Sequence, residues 1–256
     1  MKILSWNVSG AHLFFESLED AISYDKEDVS YFSQKIKESE CEIIGLQESH
    51  TPIDENESSQ SKIFADYVKY KYFDTHAYGK SHIKSGNYLS LSNISKYKIL
   101  RSYFYQIPNP NLNIKRPNGD VWTSFDVGFL ISEIEYDGKI INFANGHMVP
   151  FHYFKRDFTE PEFEPVRQSI TTLFLDLLEK PTLVVCDFNY NDLQKLIPNV
   201  FAKNCYKKPF IKTETTPGRG QQDHILCSYH WELLDHSVVK LNSDHYQCIA
   251  DLKLSK

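Results

Sequence analysis

Leu241-Asn242-Ser243-Asp244-His245-Tyr246 runs straight into Gln247-Cys248-Ile249-Ala250-Asp251-Leu252, and the architecture can be read outward from this junction. A carboxylate and an imidazole stand side by side at the mouth of a run whose alternation predicts a strand. Alone, so short a pair reads as an ordinary polar strand edge. It gains meaning because other apolar runs in the chain stop at polar residues in the same way.

Upstream, Val238 to Leu241 leads into the pair, and Asp223 opens a strand through Ser228. Thr182-Leu183-Val184-Val185-Cys186 is nearly all apolar and ends in Asp187-Phe188-Asn189. Before it, Val166, Ile170, Leu173, Phe174, Leu177 and Leu178 recur at helical spacing. Ser124 to Tyr136 and Lys139 to Ala144 are predicted strands joined by Asp137-Gly138, a hairpin signal, and the second runs into Asn145-Gly146-His147. Two short strands, Asn87 to Leu91 and Lys98 to Tyr105, flank a turn at Asn93 to Lys96. Pro108 through Gly119 is turn chemistry and the longest candidate loop.

At the N-terminus, Lys2 to Val8 is predicted as a buried strand ending at Asn7, followed by an irregular, aromatic-rich segment over residues 10–24. Val29, Phe32 and Ile36 place a helix at about residues 27–39. Cys41 to Leu46 forms a second apolar strand ending in Gln47-Glu48, so the chain begins β-α-β. A polar loop over residues 51–60 precedes a helix marked by Ile63, Tyr67 and Val68. With no internal repeat or low-complexity linker, residues 1–256 are expected to form one domain.

Composition narrows the function classes. Hydrophobic residues make up 41% of the 256, enough for a large core, and 17 Phe with 16 Tyr suit sheet packing. No apolar run approaches a membrane span, and Met1 to Asn7 lacks the features of a secretory leader. Cys41, Cys186, Cys205, Cys227 and Cys248 show no metal-type spacing and are expected as thiols, in keeping with a reducing cytoplasm. A net charge of −6 disfavours a sequence-blind DNA coat protein but not an enzyme that meets phosphodiesters through a local cation.

The polar residues also agree as chemistry. Strand ends on one side of a sheet line a common crevice. Glu48, Asp187, Asp244 and Asn7 offer hard oxygen ligands suited to Mg²⁺ or Mn²⁺ rather than zinc. His147 and His245 can donate to a phosphoryl oxygen or move a proton near neutral pH. Phosphodiester hydrolysis needs that combination: charge neutralisation, an activated water and leaving-group stabilisation.

The sequence resembles the endonuclease/exonuclease/phosphatase superfamily, with its deoxyribonuclease-I-like fold. The matching segments, in the family's order, are Ser5-Trp6-Asn7-Val8, Leu46-Gln47-Glu48, Asn145-Gly146-His147, Cys186-Asp187-Phe188-Asn189, Asp223-His224-Ile225-Leu226 and Ser243-Asp244-His245. The resemblance implies an α+β fold, a four-layered α/β/β/α sandwich of two mixed sheets flanked by helices. It implies Glu48 as the principal Mg²⁺ ligand, with Asn7 and Asp244 near the ion. Asp187 would orient or deprotonate water, Asn189 would hold the phosphate, and His245 paired with Asp223 would contact it. His147 would be a second phosphate donor, with Asn145 beside it on the substrate side.

Departures from the family pattern are local. Cys186 stands where glycine is usual, Gly146 where threonine is common, and Gln247 where many members have proline. No acidic partner for His147 is evident in the sequence. Arg167 either contacts phosphate or lies solvated on its helix. Tyr153, Phe154, Lys155, Arg156 and Phe158, like Trp122 and Lys115-Arg116, suit stacking on an unpaired base or a plain surface loop. The expected activity is Mg²⁺-dependent phosphodiester hydrolysis on nucleic acid by a monomer. Small phosphorylated metabolites or lipids are the alternative substrates, and a non-catalytic scaffold is the rival from another class.

Overall fold

Alternation along the first strand shows how the layers are built. In β1 (Lys2–Asn7) all residues after Lys2 are buried. Ile3 enters one hydrophobic cluster while Leu4 and Trp6 enter another. A strand buried on both faces must lie between two layers. The computed structural model describes residues 1–14, 24–115 and 119–255.

The elements follow as β2 (His12–Phe14), β3 (Tyr24–Glu27), α1 (Val29–Glu38), β4 (Ile43–Pro52), α2 (Gln60–Val68), β5 (Tyr72–Lys80), β6 (Asn87–Ser95) and β7 (Ile99–Gln106). Then come β8 (Asn113–Lys115), β9 (Val121–Thr123), β10 (Gly128–Tyr136), β11 (Lys139–His147), α3 (Glu164–Asp176) and β12 (Thr182–Asp187). The last are α4 (Leu193–Leu196), α5 (Pro198–Phe201), β13 (Tyr206–Lys207), β14 (Asp223–Ser228), β15 (Trp231–Val239) and β16 (Gln247–Leu254).

Two six-stranded sheets result, ordered β15-β16-β1-β4-β6-β5 and β13-β14-β12-β11-β10-β7. Each holds one parallel pair, β1 with β4 and β11 with β12, among antiparallel neighbours. The parallel pairs carry α1 and α3 in their crossovers, as parallel pairing demands a long connection. The same pairing pattern thus occurs twice, a repeat that no sequence periodicity betrays.

Ile3, Ile43, Phe143, Val185, Ile225 and Ala250 interdigitate between the sheets. Leu4, Trp6 and Ile44 pack under Phe32 and Ile36 of α1 and Phe64 of α2. Phe129, Ala144, Val184 and Leu226 pack under Ile170 and Phe174 of α3. Three apolar seams make the expected four-layered α/β/β/α sandwich. Each large side chain taken fully out of water contributes about 1.5–3 kcal/mol.

Several local expectations change. β5 was not foreseen, and β4 does not stop at Glu48 but continues to Pro52. β6 runs through the expected turn to Ser95, and β7 belongs to the other sheet. Burial against a second sheet, rather than the local turn signal, decides that pairing. The Pro/Asn loop contains β8, which pairs antiparallel with β9. Of the predicted irregular 10–24 segment, Gly10 and Ala11 belong to a tight turn, His12–Phe14 forms β2 and Tyr24 opens β3, while residues 15–23 lie outside the described residues, as do Arg116, Pro117 and Asn118. Four cysteines are buried thiols and Cys205 is half-buried. Among the described residues no helix is long and apolar enough to cross a membrane.

Candidate active site

Strand parity carries most of the site residues to one place. On β1, Asn7 shares the inter-sheet face of Ile3, and on β11 His147 shares that of Ile141 and Phe143. Asp187 follows Leu183 and Val185 on β12, while Asp223 precedes Ile225 and Cys227 on β14. Residues two apart share a face. Where the apolar seam ends, these positions therefore turn polar together.

His245 and Asp223 form a buried pair, with Nδ1 of the imidazole 2.9 Å from Asp223 Oδ2 and 3.1 Å from Oδ1. Thr216 adds its hydroxyl, which donates to Asp223 Oδ2 at 3.2 Å and lies 3.3 Å from His245 Nδ1. The Trp6 indole N–H donates to the His245 carbonyl at 3.0 Å and so anchors the loop. Burial opposes charge on the imidazole, but the Asp223 and Asp187 carboxylates outweigh it and hold its pKa well above the usual value. Burial in turn raises the Asp223 pKa, against the pull of His245.

Asp187 lies between two imidazoles. Its Oδ2 is 3.7 Å from His245 Nε2 and 3.6 Å from His147 Nε2. Asn7 Nδ2 donates to that oxygen at 3.1 Å, and the Asn189 backbone N–H donates to Oδ1 at 2.8 Å. Asn189 has a left-handed φ of 50°, which returns its amide to the cluster.

His147 has the partner that its sequence context concealed. The Tyr78 hydroxyl on β5 lies 2.7 Å from His147 Nδ1. Burial raises the Tyr78 pKa well above 10, with Glu48 and Asp187 adding to the effect, so the phenol keeps its proton. Nε2 faces Glu48 Oε1 and Asp187 Oδ2, both at 3.6 Å, a setting that favours a proton on Nε2. Asn189 Nδ2 also lies 3.3 Å from that nitrogen, while the same amide donates to the Met148 carbonyl at 3.1 Å.

Glu48 breaks the parity rule. As an even-numbered neighbour of Ile44 and Leu46 it belongs on the helix-facing side of β4. A register shift between Leu46 and Ser49, with Glu48 at φ 53°, turns it into the site instead. Such bulges re-aim side chains beside functional clefts.

Burial raises the Glu48 pKa, and Oε2 is buried with no hydrogen-bond partner. An orphaned carboxylate oxygen facing Asp244 and Asp187 fits a hard divalent cation. Asp244 accepts from Ser9 Oγ at 2.5 Å through Oδ1. Among the described residues, the group of three with ligand-like spacing is Asp187, Asp223 and His245, whose donor atoms all lie within 4.8 Å of one another. Its Asp223 oxygens and His245 Nδ1 are already bonded to each other, so Glu48 with Asp244 offers the freer oxygens.

These groups open on a cavity of about 270 Å³. Glu48, His147, Asp187, Asn189, Asp244 and His245 line one part of it, while Phe14, Trp122, Phe125 and Tyr153 supply an aromatic wall. Asn7 reaches the cluster through Asp187 and does not line the cavity.

Two expected substrate contacts fall elsewhere. Asn145 Nδ2 donates to the Leu46 and Ser92 carbonyls at 2.9 and 3.1 Å, and its Oδ1 accepts from Gln47 at 2.7 Å. It stitches the sheets together. Arg167 is buried, pairs with Glu164 and donates to the Phe158 and Glu160 carbonyls, bracing the loop before α3. Arg219, in the turn-rich Thr216-Pro217-Gly218-Arg219-Gly220 just ahead of Asp223, lines the cavity instead. Tyr78, Ser9 and Thr216 were also missed, because their roles depend on distant segments.

The family departures are packed consistently. Gly146 pairs in register with Cys186 across the parallel strands. A Cβ on Gly146 would lie 2.3 Å from the Phe129 ring and 3.0 Å from Cys186 Sγ. The small residue on one strand accommodates the larger one on its neighbour.

No protein-family model and no curated protein matches the sequence. Solved structures match the fold. An endonuclease/exonuclease/phosphatase from Beutenbergia cavernae superposes with a TM-score of 0.72 at 14% identity, over 99% of this chain and 71% of that one. A mannosyl-6-phosphatase from Bacteroides thetaiotaomicron gives 0.60 at 13% identity, over 99% and 100%. D. rerio TDP2 complexed with a single-strand DNA product gives 0.58 at 12% identity, over 99% and 98%. This chain has the endonuclease/exonuclease/phosphatase fold that its six sequence segments resemble.

Proposed function

We propose that this protein is a divalent-metal-dependent phosphodiester hydrolase, and specifically a nuclease acting on DNA or RNA. The observation that carries the reading is Asp187 standing 3.6–3.7 Å from two imidazoles in one cavity, beside a Glu48 oxygen that lacks a partner. Mg²⁺ or Mn²⁺, held by Glu48 and Asp244 with Asn7 supporting from Asp187, would neutralise charge on the phosphate.

Asp187, oriented by Asn7 and by the Asn189 N–H, holds the attacking water and accepts its proton. The bond from the water oxygen to phosphorus forms as the bond to the leaving oxygen breaks; the leaving oxygen takes a proton from solvent, to which Asp187 returns the one it accepted. His245, kept cationic by Asp223, donates to a phosphoryl oxygen, and His147 does so through Nε2. The Asn189 side chain holds the phosphate.

Glu48→Gln and His245→Ala proteins, assayed with Mg²⁺ on single- and double-stranded DNA, RNA and bis(p-nitrophenyl) phosphate, test the reading. Each should lose most hydrolysis with the fold intact. Full activity in metal-stripped Glu48→Gln protein would defeat it. The small cavity favours a second reading, hydrolysis of compact phosphorylated metabolites, and a mannosyl-6-phosphatase shares the fold. Turnover of small esters with none of polymers would select it.

A further inference from the structure

Arg219 differs from every other arginine among the described residues. Arg101 pairs with Glu133 at 2.8 Å, Arg156 with Glu160 and Glu162, and Arg167 with Glu164 at 2.5 Å. Arg219 has no carboxylate partner among them. It is half-buried, lines the cavity, and is braced by an aromatic ring instead. Its Nη1 donates to the Tyr153 hydroxyl, and its guanidinium carbon lies 5.1 Å from the Tyr153 ring centroid.

A ring and a phenol oxygen can hold a guanidinium in place without neutralising it. The charge and the remaining N–H donors are left to the cavity. Backbone hydrogen bonds fix the turn that carries this group. Arg219 N–H donates to the Thr216 carbonyl at 3.0 Å, and Thr215 N–H donates to the Gly220 carbonyl at 2.9 Å, closing a turn in which Gly218 and Gly220 take φ of 69° and 83°. The turn begins at Thr216, the residue whose hydroxyl touches the His245–Asp223 pair. Cation and imidazole are therefore set relative to each other by one short segment.

The reacting phosphate already has its donors in His147, His245 and Asn189. A further guanidinium matches a further anion, for which arginine's planar donor fork is suited. We propose that Arg219, braced on Tyr153, binds a second phosphate of the substrate, so that the site prefers phosphoesters carrying two phosphate groups over those carrying one. This rests on the phosphoesterase reading and names a substrate feature of the same site. The aromatic wall of Trp122, Phe125 and Tyr153 lies in the same cavity and suits the unpaired base of a nucleotide whose sugar carries both phosphates.

Calorimetric binding in Mg²⁺ of thymidine 3′,5′-bisphosphate against thymidine 5′-monophosphate tests it independently of turnover. A sugar bisphosphate and its monophosphate form a parallel pair. Wild-type protein should prefer the nucleotide bisphosphate at least tenfold. The preference should collapse in Arg219→Met and return in part in Arg219→Lys. Preference confined to the sugar pair would support the role of Arg219 while overturning the nucleotide arm. Equal weakening of mono- and bisphosphate in Arg219→Met would overturn the proposal, since the arginine would then only offset the cavity's carboxylates. Wild-type protein that binds monophosphate without preferring the bisphosphate would overturn it too. Wild-type protein that neither binds nor hydrolyses any phosphoester would instead sink the underlying phosphoesterase reading.

Discussion

His147 Nε2 lies 3.6 Å from Glu48 Oε1, although simple alternation along β4 would put these side chains on opposite sides of a sheet. The irregularity between Leu46 and Ser49 makes the contact, at the cost of a left-handed backbone and a buried, partnerless oxygen at Glu48. Strain and desolvation of this kind are maintained where function needs them.

Glu48→Gln should therefore stabilise the metal-free protein while abolishing hydrolysis. Burial opposes ionisation of this carboxyl, so a neutral amide in its place should raise the Tm of the metal-free protein. Thermal denaturation after chelation reads the effect at pH 7. A lower Tm than wild type would contradict it.

Asp223→Asn should lower kcat by at least about a hundredfold with little change in KM, since the carboxylate orients and charges His245 rather than binding substrate. Steady-state kinetics beside circular dichroism separate this from misfolding. A loss confined to KM would place Asp223 in binding instead.

Tyr78→Phe removes the 2.7 Å hydrogen bond to His147 Nδ1 without removing the ring. Free of that donor, the imidazole loses its bias towards an Nε2 proton, and kcat should fall about tenfold. NMR of the His147 ring nitrogens should show a mixed tautomer. An unchanged tautomer would show that the two carboxylates alone set it.

Away from the site, Glu133 bonds Arg101 at 2.8 Å and Lys180 at 2.6 Å. The Arg101 bond, joined by Lys180 and opposed by burial, lowers its pKa to about 2. A depressed carboxylate pKa adds stability above the unfolded value and loses it as pH falls through the folded one. Glu133→Gln should thus cost about 1 kcal/mol near neutrality, kept small because Arg101 and Lys180 are open to solvent. The gap from wild type should close between about pH 4.5 and 2. Denaturant titrations showing a constant gap across that window would refute the linkage.

Gly146→Ala should destabilise by about 1–3 kcal/mol, because the added methyl would meet the Phe129 ring at 2.3 Å. Urea unfolding measures it. Phe129→Leu in the same chain should recover part of the loss, and strict additivity of the two changes would deny the contact.

Periodicity and strand-end chemistry made much of this architecture legible. The runs at Lys2–Asn7, Lys139–His147, Thr182–Asp187 and Asp223–Ser228 are buried on both faces, so their apolar residues are dense and their polar ends stand out. The sequence by itself marked the strand ends that carry Asn7, Glu48, His147, Asp187, Asn189, Asp223, Asp244 and His245, and its family resemblance implied the layered α+β architecture. Alternation and segment order are local properties, and both survive folding unchanged. Only the tertiary structure decided that β4 bends at Glu48, that Tyr78 on an unforeseen edge strand meets His147, and that Arg219 rather than Arg167 enters the cavity. Those outcomes depend on which distant surfaces compete for the same side chain. The Phe158 carbonyl and Glu164 take the Arg167 guanidinium, and no spacing along the chain records the competition.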